Sequence, residues 1–259
     1  MKSRIAVHKF SSCDGCQLAF LNLGEPLLQL AQIADIVHFA EAGMVAEEAH
    51  ADIAFVEGSI ATEQDLARIR HVRAHATWLV TIGACATAGG VQALRGMADA
   101  NAWLHDVYAS PEYIDALATS TPIAQHVKVD LELWGCPVNG RQVLGAVRAL
   151  LSGVLPPDED DKVCLECKRR QIVCVMVADG IPCMGPVTRT GCGALCPSFG
   201  RDCYACYGPA ENLNSASLSR WFEGLGLNKK DVARRYLFIN NGAPAFRQAG
   251  LAARGKQDE

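Results

Sequence analysis

Through its first 155 residues the chain alternates short apolar runs with longer stretches of helical spacing, the signature of a parallel α/β sheet. The pattern predicts strands at Arg4–Phe10, Asp35–Phe39, Asp52–Val56, Thr77–Ile82 and Lys128–Trp134. It predicts helices at Gln17–Ala31, Thr62–Ala74 and Gly140–Leu151, and a further helical stretch around Ala88–Asp106. Pro111–His126 carries no clear period. From Ser152 to Lys162 two prolines and an acidic run interrupt the alternation, as a linker would. The segment beyond is poor in periodicity and rich in small, turn-forming residues. Helical spacing returns at Ser217–Gly224 and Lys229–Tyr236, and the polar end Ala252–Glu259 reads as a frayed tail. Two domains are expected, 1–155 and 156–259, with no internal repeat and no low-complexity tract.

Composition narrows this only slightly. Hydrophobic residues make up 50% of the chain and charged residues 20%, as in ordinary globular proteins. A net charge of -4 gives no basic surface for nucleic acid. No apolar run is long enough to span a bilayer. The few residues before Cys13 carry neither a signal peptide nor a twin-arginine sequence, so a cytoplasmic location is expected. Thiols stay reduced there, which favours metal binding over disulfides.

Cysteine changes the picture most. Twelve occur, split four and eight. Cys13 and Cys16 follow the first predicted strand, Cys85 the fourth and Cys136 the fifth. All four thus fall just past carboxyl ends of strands, on the edge where parallel sheets bind ligands. Cys164, Cys167, Cys174, Cys183, Cys192, Cys196, Cys203 and Cys206 crowd into 43 residues. A [4Fe–4S] cluster takes four thiolates, so twelve cysteines suffice for three. Cys13-Asp14-Gly15-Cys16 is a Cys-x-x-Cys turn in which Gly15 is expected to let the backbone bend. Cys196-Pro197 echoes the end of a ferredoxin run, although the grouping of the eight is open. A zinc-stabilised interaction module is the competing reading, because all-cysteine zinc sites also use Cys-x-x-Cys pairs.

Other candidates carry less. Glu57, in Val56-Glu57-Gly58-Ser59, ends a predicted strand on the same rim; on spacing alone it reads as a solvent-facing carboxylate. Lys168-Arg169-Arg170 lies between two cysteines and reads as a solvated charge run. His71 and His75 are four apart on a predicted helix, but no neighbouring carboxylate or cysteine in sequence supports a metal face. There is no dinucleotide fingerprint, no P-loop and no Ser–His–Asp arrangement. The chain has wiring and no evident catalyst.

Cys13-Asp14-Gly15-Cys16, Glu57-Gly58-Ser59, the Gly83–Cys85 turn and Gly135-Cys136-Pro137, in that order, resemble the small subunit of [NiFe] hydrogenases. Ile181-Pro182-Cys183-Met184-Gly185-Pro186-Val187-Thr188 and Gly191-Cys192-Gly193 resemble its cytoplasmic, pyridine-nucleotide-coupled group, which includes sulfhydrogenase delta subunits. The resemblance implies a flavodoxin-like domain with a proximal [4Fe–4S] cluster on Cys13, Cys16, Cys85 and Cys136, and an irregular iron–sulfur domain with medial and distal clusters on the other eight. It implies a [NiFe] large subunit as partner, and flavin, NAD(P)-binding and iron–sulfur subunits beyond. Glu57 would then lie near the subunit interface. The adjacent Cys-Cys pair of the homologous complex I subunit is missing, and no histidine stands as a distal ligand. A complex I relative or a sulfur reductase is the alternative.

Overall fold

A computed structural model describes residues 2–157 and 161–255, which divide into two compact units, Met1–Pro156 and Pro157–Glu259. In the first unit, five parallel strands, β1 (Ser3–Lys9), β2 (Ala34–Phe39), β3 (Ala51–Glu57), β4 (Ala76–Ile82) and β5 (Leu131–Leu133), form one sheet ordered β2-β1-β3-β4-β5. This is the flavodoxin-like order, in which the chain leaves β1 on one side and re-enters the sheet at β3 on the other. Helices α1 (Gly15–Leu21), α2 (Glu25–Ile33), α3 (Glu63–Ala74), α4 (Gly83–Ala88), α5 (Ala100–Val107) and α6 (Gly140–Leu151) connect and cover the strands.

The middles of β1, β3 and β4 are apolar because both faces are covered. Ile5, Val7, Ile53, Phe55, Val80 and Ile82 pack on one side with Phe20 of α1 and with Val143, Val147 and Leu150 of α6. Ala6, Ala54, Val56 and Leu79 pack on the other with Ile69 and Val72 of α3. Each fully buried aliphatic side chain of this kind contributes about 1.5–3 kcal/mol. Sequence also fixes the helix starts. The Thr62 hydroxyl accepts the Asp65 N–H at 3.1 Å while the Asp65 carboxylate accepts the Thr62 N–H at 3.0 Å, a reciprocal cap on α3. Asn139 caps α6 by accepting the Arg141 N–H at 2.9 Å.

Three expectations need correction. The helix predicted over Gln17–Ala31 is two helices, broken where Gly24 takes φ +65° and Pro26 restarts the next. The last strand is only three residues, because Asp130 turns its carboxylate onto the Leu79 N–H (2.9 Å) and Arg73 (2.5 Å) instead of extending the ladder. The stretch around Ala88–Asp106 is a 3₁₀ segment (Val91–Met97) followed by α5, and Pro111–His126 holds two more single 3₁₀ turns. Within the expected linker, residues 158–160 lie outside the described residues.

The second unit begins with three short helices among the cysteines, α7 (Val163–Arg169), α8 (Val175–Ala178) and α9 (Leu195–Ser198). It ends in α10 (Ser215–Gly224), α11 (Lys229–Tyr236) and α12 (Pro244–Arg254), packed around Leu218, Phe222, Val232, Tyr236 and Phe246. Helix α12 replaces the start of the expected frayed tail, running to Arg254; residues 256–259 lie outside the described residues.

Candidate metal centres

Strand register decides what meets at the rim of the first unit. Because β1, β3, β4 and β5 run parallel, their carboxyl ends share one edge, and the loops that follow carry Cys13, Cys16, Cys85 and Cys136 to it. The Ala84 N–H donates to the Gly135 carbonyl at 2.7 Å, tying the Cys85 turn to the Cys136 turn. The Val138 N–H donates to Cys16 Sγ at 3.5 Å, and Gln92 lies 3.5 Å from Cys85 Sγ while donating to the Ser11 carbonyl at 3.1 Å. Burial pushes all three of the inner thiols up, Cys16 furthest and Cys85 to about 11. Neighbouring thiolates add to it: Cys85 and Cys136 act on Cys16, Cys136 and Cys13 on Cys85, and Cys13 on Cys136. Thiols that resist ionisation, as Cys16, Cys85 and Cys136 do, are stabilised as thiolates by cations placed among them.

Glu57 is not solvent-facing. It is 2% exposed, at the end of β3, and its two carboxylate oxygens accept the Cys16 and Gln17 N–H groups, each at 3.0 Å. These are free amides of the first turn of α1, so the carboxylate anchors the Cys-x-x-Cys turn from behind. Burial raises its pKa despite those hydrogen bonds. The expectation failed because β3 extends one residue further than the apolar run suggests, drawing Glu57 into the sheet edge.

The bend in the Cys13–Cys16 turn falls on Asp14, at φ +64°, and not on Gly15. Asp14 is held there by Lys9 Nζ at 2.6 Å and by the Ser12 hydroxyl at 3.1 Å. Two other glycines are required. Gly58 has φ +98°, and a Cβ there would lie 2.5 Å from the Phe10 carbonyl carbon. Gly83 has φ +84°, and its Cβ would lie 2.3 Å from Cys16 Sγ. Both positions let a rim loop close on its neighbour.

In the second unit electrostatic influence links all eight thiols into one set. Burial raises Cys164, to about 11, and Cys167, and charge on Cys183 and Cys174 raises both further. Burial raises Cys192, with Glu166 and Cys196 adding to it, and Cys192 in turn acts on Cys167; burial raises the deeply buried Cys203, with Cys183 and Cys206 adding to it. The Cys203 N–H donates to Cys183 Sγ at 3.2 Å.

Glu166, inside the Cys164–Cys167 turn, is a site residue that spacing alone does not single out. Its carboxylate accepts the Gly193 N–H at 3.2 Å and the Ala194 N–H at 2.9 Å, just past Cys192. Arg170 donates to the Gly193 carbonyl, so the basic run is only partly a solvated one; Arg169 pairs with Asp161 at 2.7 Å. An acid within a Cys-x-x-Cys turn is the available signal. Asp202, ion-paired with Arg235, and Asn240, donating to the Ala205 carbonyl at 2.7 Å, fix the Cys203–Cys206 turn against the helices.

All twelve cysteines are free thiols. Among the described residues, the group of three or more His, Cys, Asp or Glu ligand atoms lying within 4.8 Å of one another is Glu48, His71 and His75, with no cysteine in it. One tetrahedral zinc, at a Zn–S distance of about 2.3 Å, would bring its thiolates to about 3.8 Å from each other. The wider cysteine groups therefore suit a multinuclear iron–sulfur group better than a single ion. Glu48 also corrects the expectation that no carboxylate accompanies His71 and His75.

Residues 13–150 match the family described as NADH ubiquinone oxidoreductase, 20 Kd subunit. The chain is 32% identical to sulfhydrogenase 2 subunit delta of Pyrococcus furiosus, over 90% of its own length and 97% of that protein. It is 28% identical to a subunit of the F420-non-reducing hydrogenase of Methanococcus voltae, over 92% of its own length and 94% of that protein. A crystal structure of an NAD+-reducing [NiFe]-hydrogenase in the H2-reduced state contains a chain that superposes with TM-score 0.56 and 27% identity. That match covers 96% of the solved chain but 61% of this one, about the share held by the first unit. Among the described residues no helix is long and apolar enough to cross a membrane.

Proposed function

Because this chain belongs to the [NiFe] hydrogenase small-subunit family, whose members carry iron–sulfur clusters, we propose that it is the electron-transfer subunit of a cytoplasmic [NiFe] hydrogenase. The observation that carries the reading is the convergence of Cys13, Cys16, Cys85 and Cys136, from loops after three separate strands, on one sheet edge. Those four would hold a first [4Fe–4S] cluster. Cys164, Cys167, Cys174, Cys183, Cys192, Cys196, Cys203 and Cys206 together would hold a second and a third. Clusters so bound supply one-electron relay sites. The chain's own part is positional: Glu57 and Glu166 fix the cysteine turns, burial covers Cys16, Cys183 and Cys203, and backbone N–H groups donate to sulfur at Cys16 and Cys183.

The partners proposed are a [NiFe] large subunit, where hydrogen chemistry takes place, and flavin and iron–sulfur subunits linked to NAD(P). The NAD+-reducing structure supports the second partner. The family's description favours one other reading, a cluster-bearing subunit of a different redox complex. Metal analysis of the complex purified without oxygen separates them. About twelve irons on this chain after separation, with nickel on its partner, supports the hydrogenase reading. Iron without nickel favours the other complex, and zinc in place of iron sinks both. As a second test, Cys85→Ser should stop hydrogen-driven reduction of the carrier while leaving nickel in the partner; undiminished reduction would overturn the first assignment.

A further inference from the structure

Four of the seven histidines form two stacked pairs. His8 of β1 and His38 of β2 stack inside the unit at 4.4 Å between ring centroids. His71 and His75, one helical turn apart at the end of α3, stack nearer the surface at 4.1 Å. Across from them is Glu48, on a turn closed by the Ala49 N–H donating to the Ala46 carbonyl at 3.2 Å.

Two details give this group a ligand's geometry. The His75 ring places Nδ1 3.0 Å from the His71 carbonyl. A carbonyl only accepts, so Nδ1 carries the hydrogen and Nε2 keeps its lone pair, the tautomer that metal-bound imidazoles adopt. His71 Nε2 is covered from solvent, makes no hydrogen bond of good geometry, and faces Glu48 Oε2 at 3.3 Å. All three ligand atoms lie within 4.8 Å of one another. Tetrahedral zinc needs them at about 3.3 Å, given bond lengths of about 2.0 Å. Glu48, 84% exposed along its side chain, is free to swing and close the difference. Arg68 stacks on Phe10, 4.6 Å from the ring centroid.

We propose that Glu48, His71 and His75 form a binding site for a divalent transition-metal ion of the zinc class, separate from the cysteine centres. Two imidazoles and one carboxylate select zinc, nickel or cobalt over magnesium or calcium, which prefer all-oxygen sites. The ion would clasp the turn between β2 and β3 to the end of α3, with water completing its shell.

The test is equilibrium dialysis of the assembled, cluster-loaded complex against micromolar zinc chloride, for the native chain and for His71→Gln/His75→Gln. The native complex should hold one more zinc per chain, and zinc-edge X-ray absorption should show that ion with nitrogen and oxygen neighbours only. Equal zinc in both complexes overturns the proposal, as does a sulfur shell at about 2.3 Å, which marks zinc in a cysteine centre. Should the double variant fail to assemble, Glu48→Gln on the exposed turn should weaken zinc affinity about tenfold or more. Unchanged affinity there overturns it equally.

Discussion

The two cysteine regions reach a similar end by opposite routes. At the first rim, thiols from positions as distant as Cys13 and Cys136 are delivered by a sheet whose strands are already packed on both faces. In the second unit, eight thiols within 43 residues sit among helices of four to seven residues, with the packed apolar core confined to the helices that follow. The first site is held by its fold. The second, holding the proposed clusters, would largely be held by them, as small metal-rich segments are. Both share one device: a carboxylate, Glu57 or Glu166, that accepts two successive backbone N–H groups beside a cysteine.

The sharpest way to break this contrast is to remove the iron. With chelator and no oxygen, amide exchange over residues 163–206 should approach that of an unfolded chain, while β1, β3 and β4 keep their protection. Equal loss in both regions would show that the sheet too depends on bound metal.

Next in size is Gly83→Ala. A methyl group at φ +84°, 2.3 Å from Cys16 Sγ, should displace that thiol. Iron in the separated chain should fall by about four atoms, with far-ultraviolet circular dichroism unchanged. Full iron would show that the rim can shift to accept it.

The paired carboxylates give a smaller and graded effect. Glu57→Ala leaves two buried N–H groups unpaired and should cost about 2–3 kcal/mol in urea unfolding of the first unit. Glu166→Ala, half-exposed, should cost the second unit about 1 kcal/mol, since water replaces the carboxylate. Equal costs would mean that burial does not distinguish the two.

Smallest is a pH effect confined to the first unit. Burial alone would raise Asp130, but the Leu79 N–H and Arg73 outweigh it and hold its pKa below the ordinary 3.8. A lowered folded pKa means stability present above 3.8 and lost as pH falls through the folded value. Asp130→Asn should therefore cost about 1–2 kcal/mol at neutral pH and flatten the acid limb of the unfolding curve below 3.8. An unchanged limb would remove Asp130 from the account.

Much of the first unit is legible in sequence because buried parallel strands are apolar through their middles and end in turn-forming residues. Its cysteines can be placed on one edge from strand order alone. The break at Gly24-Glu25-Pro26 is marked too, although the apolar spacing runs on across it. Other features depend on distance along the chain. Glu57 meets Cys16 across 41 positions, Glu166 meets Gly193 across 27, and Glu48 reaches His71 only when a turn folds back on α3. Neither periodicity nor local spacing encodes such meetings. Helix α12 begins on Pro244 without a side-chain cap, which leaves little local mark.

The spread of the first quartet also sets an order of events during synthesis. Cys136 leaves the ribosome long after Cys13, and the rim exists only once β5 has joined the sheet beyond β4. A cluster carrier arriving early would find two thiols in a loose turn and nothing opposite them. Delivery of the proposed first cluster would therefore wait for folding, whereas the compact second set could be filled as its own stretch of chain emerges. A maturation system serving this chain faces two different clients in one polypeptide.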